Sequence, residues 1–258
     1  MPASEYTRRS FLKAITGATL ASMSGGMARE FDSLTGKELA HLPNTIPDEA
    51  VILFQGDSIT DSGRDRENRQ PNHPGALGNG YTFLAAAKLR HSIPEKNPAC
   101  YNRGISGNKV FQLAERWEED CLQLEPDILS ILIGVNDFWH TQTGDYEGTV
   151  ETYENDYHAL IRRTKEAMPE VQLIIGEPFA VKEGTAVNDN WYPVFDRYRE
   201  AARRVAHEFG AAFIPYQSVF DEASRRVSGP YWTGDGVHPT LAGSQLMVRA
   251  WIETVKRM

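Results

Sequence analysis

The chain has 258 residues, of which 41% are hydrophobic and 24% are charged, and its formal net charge is −8 at pH 7. An acidic surface repels nucleic acid and anionic membranes, so we predict no nucleic-acid partner. The length suits one α/β domain, and no internal repeat or low-complexity tract interrupts it. Two cysteines, Cys100 and Cys121, leave two alternatives open: a disulfide in an exported protein, or two buried free thiols.

The first predicted element is an N-terminal signal over residues 1–28. Its paired arginines, Arg8 and Arg9, precede a weakly apolar run at 14–24 that is too short and too polar to span a bilayer. The string TRRSFLK at 7–13 resembles the twin-arginine export signal. That resemblance implies bacterial export of a folded protein by the twin-arginine machinery. The alternative is a basic amphipathic helix at the N-terminus.

This signal predicts a domain organisation and a location. After the signal we expect a polar lead-in at 29–48 and one folded domain at 49–258. Once the signal is removed, we predict no insertion into a membrane. The mature protein is therefore expected in the periplasm or outside the cell.

Behind the lead-in, short apolar runs alternate with longer amphipathic segments. The predicted strands are Val51 to Phe54, Ala99 to Asn102, Ile128 to Ile133, Leu173 to Ile175 and Ala212 to Pro215. The predicted helices are Tyr81 to Arg90, Val110 to Leu124, Val150 to Met168, Tyr192 to Phe209 and Thr240 to Lys256. Strands that alternate with helices predict a parallel sheet with helices on both faces.

Polar residues follow the predicted strands at the points where each strand ends. Ser58 follows the first strand, Gly104 the second and Asn136 the third, and a long loop at 178–191 follows the fourth. In parallel α/β sheets, ligands bind beyond the carboxyl ends of the strands. We therefore expect these residues to converge at one edge of the sheet.

A second polar group stands near the C-terminus, in the string DGVHP at 235–239. Because Asp235 and His238 are three residues apart, they can lie on one tight turn. The carboxylate then fixes the imidazole tautomer while the other ring nitrogen faces a serine hydroxyl. With Ser58 these residues would form a nucleophilic triad.

Each of these residues also has a structural interpretation. We interpret Asp57 and Asp137 as structural. In that interpretation Ser58 is a helix cap, Gly104 is a turn glycine, Asn136 is a cap in a βα loop, and Asp235 is part of a plain β-turn that leaves His238 on the surface.

Four blocks taken together favour catalysis. They are GDSIT at 56–60, NRGISGN at 102–108, GVND at 134–137 and DGVHP at 235–239. In this order they resemble the SGNH hydrolases, also called GDSL esterases. The resemblance implies a three-layer α/β/α sandwich built on a flavodoxin-like parallel sheet of about five strands.

The same resemblance implies roles for particular residues. Ser58 would be the nucleophile, and Asp235 and His238 would complete its triad. The oxyanion hole would use the backbone N–H groups of Ser58 and Gly104 and the side-chain amide of Asn136. Neither a metal cluster nor a phosphate-binding glycine loop is evident in the sequence, so we predict no cofactor and no metal.

The substrate is predicted from the surroundings of these blocks. Trp139, His140 and Trp232 stand close to them and would either stack on sugar rings or pack loops onto the sheet. The turn-rich segment 61–80, which carries Arg64, is expected to wall the site. No apolar lid is visible, which argues against long-chain lipid.

We therefore predict an exported serine esterase that removes short acyl groups, chiefly acetyl, from carbohydrates. One alternative keeps the ester chemistry and changes the substrate: a lysophospholipase or thioesterase. Another is a catalytically silent carbohydrate-binding protein on the same fold.

Overall fold

The computed structural model describes residues 46–258, and its centre is a sheet of five parallel strands. The strands are β1 Val51–Gly56, β2 Ala99–Asn102, β3 Ile128–Leu132, β4 Gln172–Gly176 and β5 Ala212–Ile214. Every residue of β3 is buried, as a strand covered on both faces requires. The structure contains all five predicted strands, and the ends of some of them differ from the prediction by one or two residues.

Eleven α-helices accompany the sheet within the described residues. They are α1 Ser58–Asp61, α2 Pro74–Leu77, α3 Tyr81–Ser92, α4 Val110–Glu115, α5 Trp117–Asp120, α6 Val135–Thr143, α7 Val150–Ala167, α8 Val194–Glu208, α9 Tyr216–Ser224, α10 Gly229–Trp232 and α11 Leu241–Val255. Short 3-10 helices lie at Pro94–Lys96, Leu122–Leu124 and Asp189–Trp191.

The helices form two layers, so the fold is the predicted α/β/α sandwich. In one layer α3 and α9 pack against α11, and in the other α4 and α8 pack against α7. The first layer is tied to the sheet by Trp251, whose indole N–H donates to Ser130 Oγ of β3 at 3.1 Å. The ring of Trp251 also lies 5.3 Å from that of Phe54 in β1.

The order of the strands across the sheet is β2-β1-β3-β4-β5. From β1 the chain moves to one side to form β2, then crosses to the other side of β1 to form β3. This reversal creates a crevice at the carboxyl ends of β1 and β3, where ligands bind in sheets of this kind. Ser58 follows β1 and Asn136 follows β3, so both residues lie at this crevice.

The helix predicted from Val110 to Leu124 is not continuous in the structure. Residues 110–124 form α4, α5 and a 3-10 turn, with the first break at Arg116. The guanidinium of Arg116 donates to the carbonyl of Arg103 at 2.8 Å and to Asn108 Oδ1 at 3.0 Å. These bonds to a separate loop hold the chain in a bend that helical periodicity alone does not reveal.

Two further helices differ from those predicted from the sequence. The helix predicted from Tyr192 begins at Val194, because proline restricts the residue before it and Pro193 is the N-cap of α8. The helix α6 directly after β3 is absent from the predicted helices. It begins after Gly134, whose φ of 130° lets the strand turn sharply into the helix.

The predicted signal at 1–28 lies outside the described residues, as does most of the predicted lead-in. Ile46, near the end of that lead-in, is fully buried in the core. Cys100 and Cys121 are both free and buried, and burial raises the pKa of the Cys100 thiol to about 12. None of the helices within 46–258 is long and apolar enough to cross a membrane.

Candidate active site

Ser58 occupies the sharp turn between β1 and α1. Gly56 ends the strand, and a Cβ on it would lie only 2.2 Å from the carbonyl oxygen of Leu132, so only glycine fits there. Asp57 is the N-cap of α1, and its Oδ1 accepts the N–H of Ile59 at 3.0 Å. The capping role considered for Ser58 thus belongs to Asp57, which leaves the serine hydroxyl free for another partner.

That partner is His238. Ser58 Oγ lies 2.7 Å from His238 Nε2, although the two residues are 180 positions apart in the chain. On the other side of the ring, His238 Nδ1 lies 2.6 Å from Asp235 Oδ2. This is the geometry in which a carboxylate orients an imidazole and the imidazole removes a proton from a hydroxyl.

Asp235 is held by its own turn. Its Oδ1 accepts the backbone N–H groups of Val237 at 2.8 Å and of His238 at 2.7 Å. Partial burial would raise the pKa of Asp235, but these bonds and the contact with the His238 ring outweigh it and lower the pKa below its usual value. The carboxylate therefore stays ionised at neutral pH and can stabilise an imidazolium.

Asn136 lies in the first turn of α6 and is nearly fully buried. Its Nδ2 donates to the carbonyl of Asn108 at 3.2 Å, which uses one of the two amide protons. The second amide proton has no partner among residues 46–258. The backbone N–H of Ser58, at the first position of α1, also lacks an intrahelical partner, as such positions always do.

The third predicted oxyanion donor, Gly104, is not supported. Its N–H already donates to Asn102 Oδ1 at 2.9 Å in a buried position. A Cβ at this residue would lie 2.5 Å from the backbone nitrogen of Asp61, so glycine is needed for contact between two loops.

Gly107, three residues further on, fits the role better. It has a φ of 83°, and its N–H has no hydrogen-bond partner in the described part of the chain. It lies between Ser106, which lines the cleft beside Ser58, and Asn108, whose carbonyl binds the Asn136 side chain. Sequence reasoning missed it, although the Ser-Gly pair is a recognised turn signal.

Two buried carboxyl groups adjoin these residues. Asp57 precedes the serine and Asp137 follows Asn136, and burial raises the pKa of each to about 7. Asp137 Oδ1 accepts the N–H of Val110 at 3.1 Å. In both residues Oδ2 is buried and has no partner among the described residues. Both residues are structural, as predicted, since they bind the backbone of neighbouring segments.

The cleft at the triad has a volume of about 560 Å³. Ser58 and His238 form part of its wall, and residues of the 61–80 segment form another part, including Arg64 and Arg66. A larger cavity of about 650 Å³ shares no residue with it and surrounds the amino end of β4, at the opposite edge of the sheet. The predicted triad residues Ser58 and His238 therefore line the smaller cleft and not the larger cavity.

The three side chains predicted to contact substrate are placed differently. The ring of Trp139 lies 6.4 Å from that of His238 and is half-buried against Trp191. Trp232 donates its indole N–H to the carbonyl of Val227 at 2.9 Å and lines a separate cavity between α9 and α11. For His140, burial and the nearby charge of Lys109 lower the pKa. Of the three, only Trp139 is brought against the triad.

Comparison with known proteins gives a consistent picture. The model of the GDSL-like Lipase/Acylhydrolase family matches residues 54–246. An acetylxylan esterase from Geobacillus stearothermophilus is 34% identical over 206 residues, which cover 79% of this chain and 93% of that protein.

Solved structures agree. The crystal structure of a GDSL-like protein from Parabacteroides merdae is 52% identical, with a TM-score of 0.80, and the match covers 81% of this chain and 97% of that one. The Geobacillus acetylxylan esterase is 31% identical in its crystal structure, with a TM-score of 0.72, covering 82% of this chain and 96% of that one. Catalytic mutants of that esterase replace a serine, an aspartate and a histidine, and its aspartate precedes its histidine by three positions. Asp235 and His238 have the same spacing.

Proposed function

The chain belongs to the GDSL-like lipase/acylhydrolase family and is a carboxylic ester hydrolase, and from this premise we propose that it is an exported esterase that removes acetyl groups from carbohydrates. We assign the chemistry to Ser58, His238 and Asp235. The observation that carries this assignment is the hydrogen-bonded relay from Ser58 Oγ through both ring nitrogens of His238 to Asp235.

The proposed reaction has two halves. In the first, His238 Nε2 accepts the Ser58 proton as Oγ attacks the ester carbonyl, and the imidazolium then gives that proton to the departing sugar oxygen. An acetyl-serine remains. In the second half, His238 takes a proton from water, the hydroxide attacks the acetyl-serine, and acetate leaves as Oγ regains a proton.

Negative charge develops on the carbonyl oxygen in both halves. We assign its stabilisation to the backbone N–H groups of Ser58 and Gly107 and to the free amide proton of Asn136. Donors held in place in this way cost no reorganisation when the charge appears. Asp235 stabilises the imidazolium and fixes the tautomer that leaves Nε2 free to accept a proton.

Two observations support acetylated carbohydrate as the substrate. The related esterase from Geobacillus acts on acetylxylan. In this chain, the half-buried indole of Trp139 stands beside His238, where a sugar ring could stack as the leaving group. Export rests on the TRRSFLK string at 7–13, outside the described residues.

The direct test measures acetate release from acetylated xylan by the wild-type protein and by Ser58→Ala. We expect release by the wild type and none above background by the variant, with thermal unfolding unchanged because one hydroxyl at a strand end is lost. A fluorophosphonate should label the wild type alone. Full activity of a folded Ser58→Ala protein would refute the triad assignment.

The lipid alternative is tested by acyl-chain length. Each added methylene gains about 0.8 kcal/mol only where an apolar wall buries it. Among the residues that line the described cleft, only Ile59 and Pro239 have aliphatic side chains, so a long acyl chain finds little apolar wall to bury it. On p-nitrophenyl esters we expect kcat/KM to be highest for acetate and to fall through butyrate to octanoate, and a maximum at octanoate would favour a lipase instead.

A further inference from the structure

Arg64 is a buried arginine in the wall of the cleft that also contains Ser58 and His238. Only 8% of its surface is exposed. Its Nε donates to the carbonyl of Gly104 at 2.7 Å, which fixes the guanidinium plane against the loop after β2. Its backbone N–H is held by Asp61 at the end of α1. The backbone and the Nε of Arg64 are therefore both held in place.

The four remaining guanidinium protons of Arg64, those on Nη1 and Nη2, have no acceptor within residues 46–258. Buried atoms without a partner are found in Arg103 and Arg116, and neither Nη of Arg64 is among them. The small exposed fraction of Arg64 therefore includes the ends of its guanidinium. The cavity that Arg64 lines is the cleft that also contains Ser58 and His238.

The nearest carboxylate does not neutralise this group. Asp61 Oδ2 already accepts from the guanidinium of Arg66 and from the N–H of Ser106. Burial lowers the pKa of Arg64 to about 10, and the charges of Arg103 and Arg116 lower it further, against the opposing effects of Asp61 and Asp120. Arg64 remains a cation at neutral pH, and the two carboxylates that act on it are each paired with another arginine, Asp61 with Arg66 and Asp120 with Arg116.

We propose that Arg64 binds a carboxylate of the substrate, so that the preferred substrate is an acylated sugar acid and not a neutral acylated sugar. This proposal rests on the proposed function, since it assumes ester hydrolysis at Ser58. A guanidinium with both Nη groups free offers two parallel N–H donors, the geometry that matches a carboxylate. A neutral hydroxyl would satisfy one donor and leave the buried charge uncompensated.

Arg66 strengthens the same preference. It lines the cleft next to Arg64, and its ion pair with Asp61 leaves its side chain half-exposed. The cleft wall thus carries two arginines against one aspartate, although the whole chain has a net charge of −8. An anionic substrate would be attracted to this wall and repelled by most of the remaining surface.

The test uses two matched esters. Methyl galacturonoside and methyl galactoside, each acetylated on the same hydroxyl, differ only in the carboxylate. For the wild type we expect kcat/KM to be at least about tenfold higher on the acid, since a charge-assisted bond contributes about a factor of 10 to 100. Arg64→Gln should reduce this ratio to near one. Arg69→Gln, a matched change in the same segment at a residue paired with Glu119 outside the cleft, should keep it.

Each contrary outcome is informative. Equal rates on both esters, or an acid preference that survives Arg64→Gln, would overturn the proposal. If Arg64 instead held the acetate product, Arg64→Gln would relieve inhibition by free acetate while leaving the ratio unchanged, which also overturns it.

A measurement on the wild type covers the case in which Arg64→Gln fails to fold. Unacetylated methyl galacturonoside should inhibit hydrolysis of p-nitrophenyl acetate at about tenfold lower concentration than methyl galactoside, and equal inhibition contradicts the proposal. Complete absence of p-nitrophenyl acetate hydrolysis would instead remove the proposed function itself.

Discussion

Two aspartates stand beside the proposed catalytic residues, and they differ in nearly every physical respect. Asp235 is partly exposed and accepts three hydrogen bonds, and its pKa is lowered. Asp57 is fully buried and accepts one from Ile59, its Oδ2 has no partner among the described residues, and burial raises its pKa to about 7. Both lie close to His238, so proximity does not decide which carboxylate is charged.

The difference shows what determines a catalytic carboxylate. Asp235 remains ionised because donors and solvent compensate the cost of its charge. Asp57 lacks that compensation, and below about pH 7 it is mostly a neutral acid that caps α1. One carboxylate therefore supplies charge to His238, and the other supplies the shape of the turn that presents Ser58.

The different roles of the two carboxylates are tested most directly by neutralising each of them in turn. Asp235→Asn should lower kcat by about 10³- to 10⁴-fold, because an amide no longer fixes the imidazole tautomer. Asp57→Asn should lower it by less than about tenfold, since the amide oxygen can still accept the N–H of Ile59. Steady-state kinetics on p-nitrophenyl acetate measures both. Comparable losses in the two variants would contradict the division of roles.

The same kind of comparison applies to Asn136 and Asp137, which are neighbours in the first turn of α6. Asn136→Ala should lower kcat by about 100- to 1,000-fold with little change in KM, because the amide acts on the developing charge. Asp137→Asn keeps an acceptor for the N–H of Val110 and should change kcat far less. If Asn136→Ala raised KM alone, this residue would bind substrate and would not stabilise the oxyanion.

The smallest effect concerns stability. A carboxyl whose pKa is raised from 3.8 to about 7 on folding binds a proton that the unfolded chain releases between those values. Stability should therefore fall as pH rises through this window, by up to about 1.4 kcal/mol per pH unit for one such group.

Asp57→Asn removes this dependence, so its stability relative to wild type should be greater at pH 8 than at pH 5. Urea unfolding at the two pH values measures the difference. An equal difference at both values would show that Asp57 is charged throughout the range.

Much of this arrangement follows from sequence, and the exceptions share a physical cause. Ser58 and Asn136 each follow a parallel strand, which apolar runs and intervening helices reveal, so their placement at one edge of the sheet follows from sequence. Which glycine offers a free N–H is not revealed, because it depends on the Asn102 side chain reaching Gly104. The bend at Arg116 likewise depends on acceptors in another loop. Local patterns do not encode partners that only the folded chain supplies.

The packing of α11 on the sheet has a consequence for the timing of activity during synthesis. This helix follows His238 directly, and its Trp251 contacts Phe54 of the strand that leads to Ser58. The ribosome adds His238 180 residues after Ser58, so over that length a nascent chain carries the proposed nucleophile without a base to activate it. An esterase built this way is silent until its histidine and the helix that follows it have been made, and hydrolysis reports that both are in place.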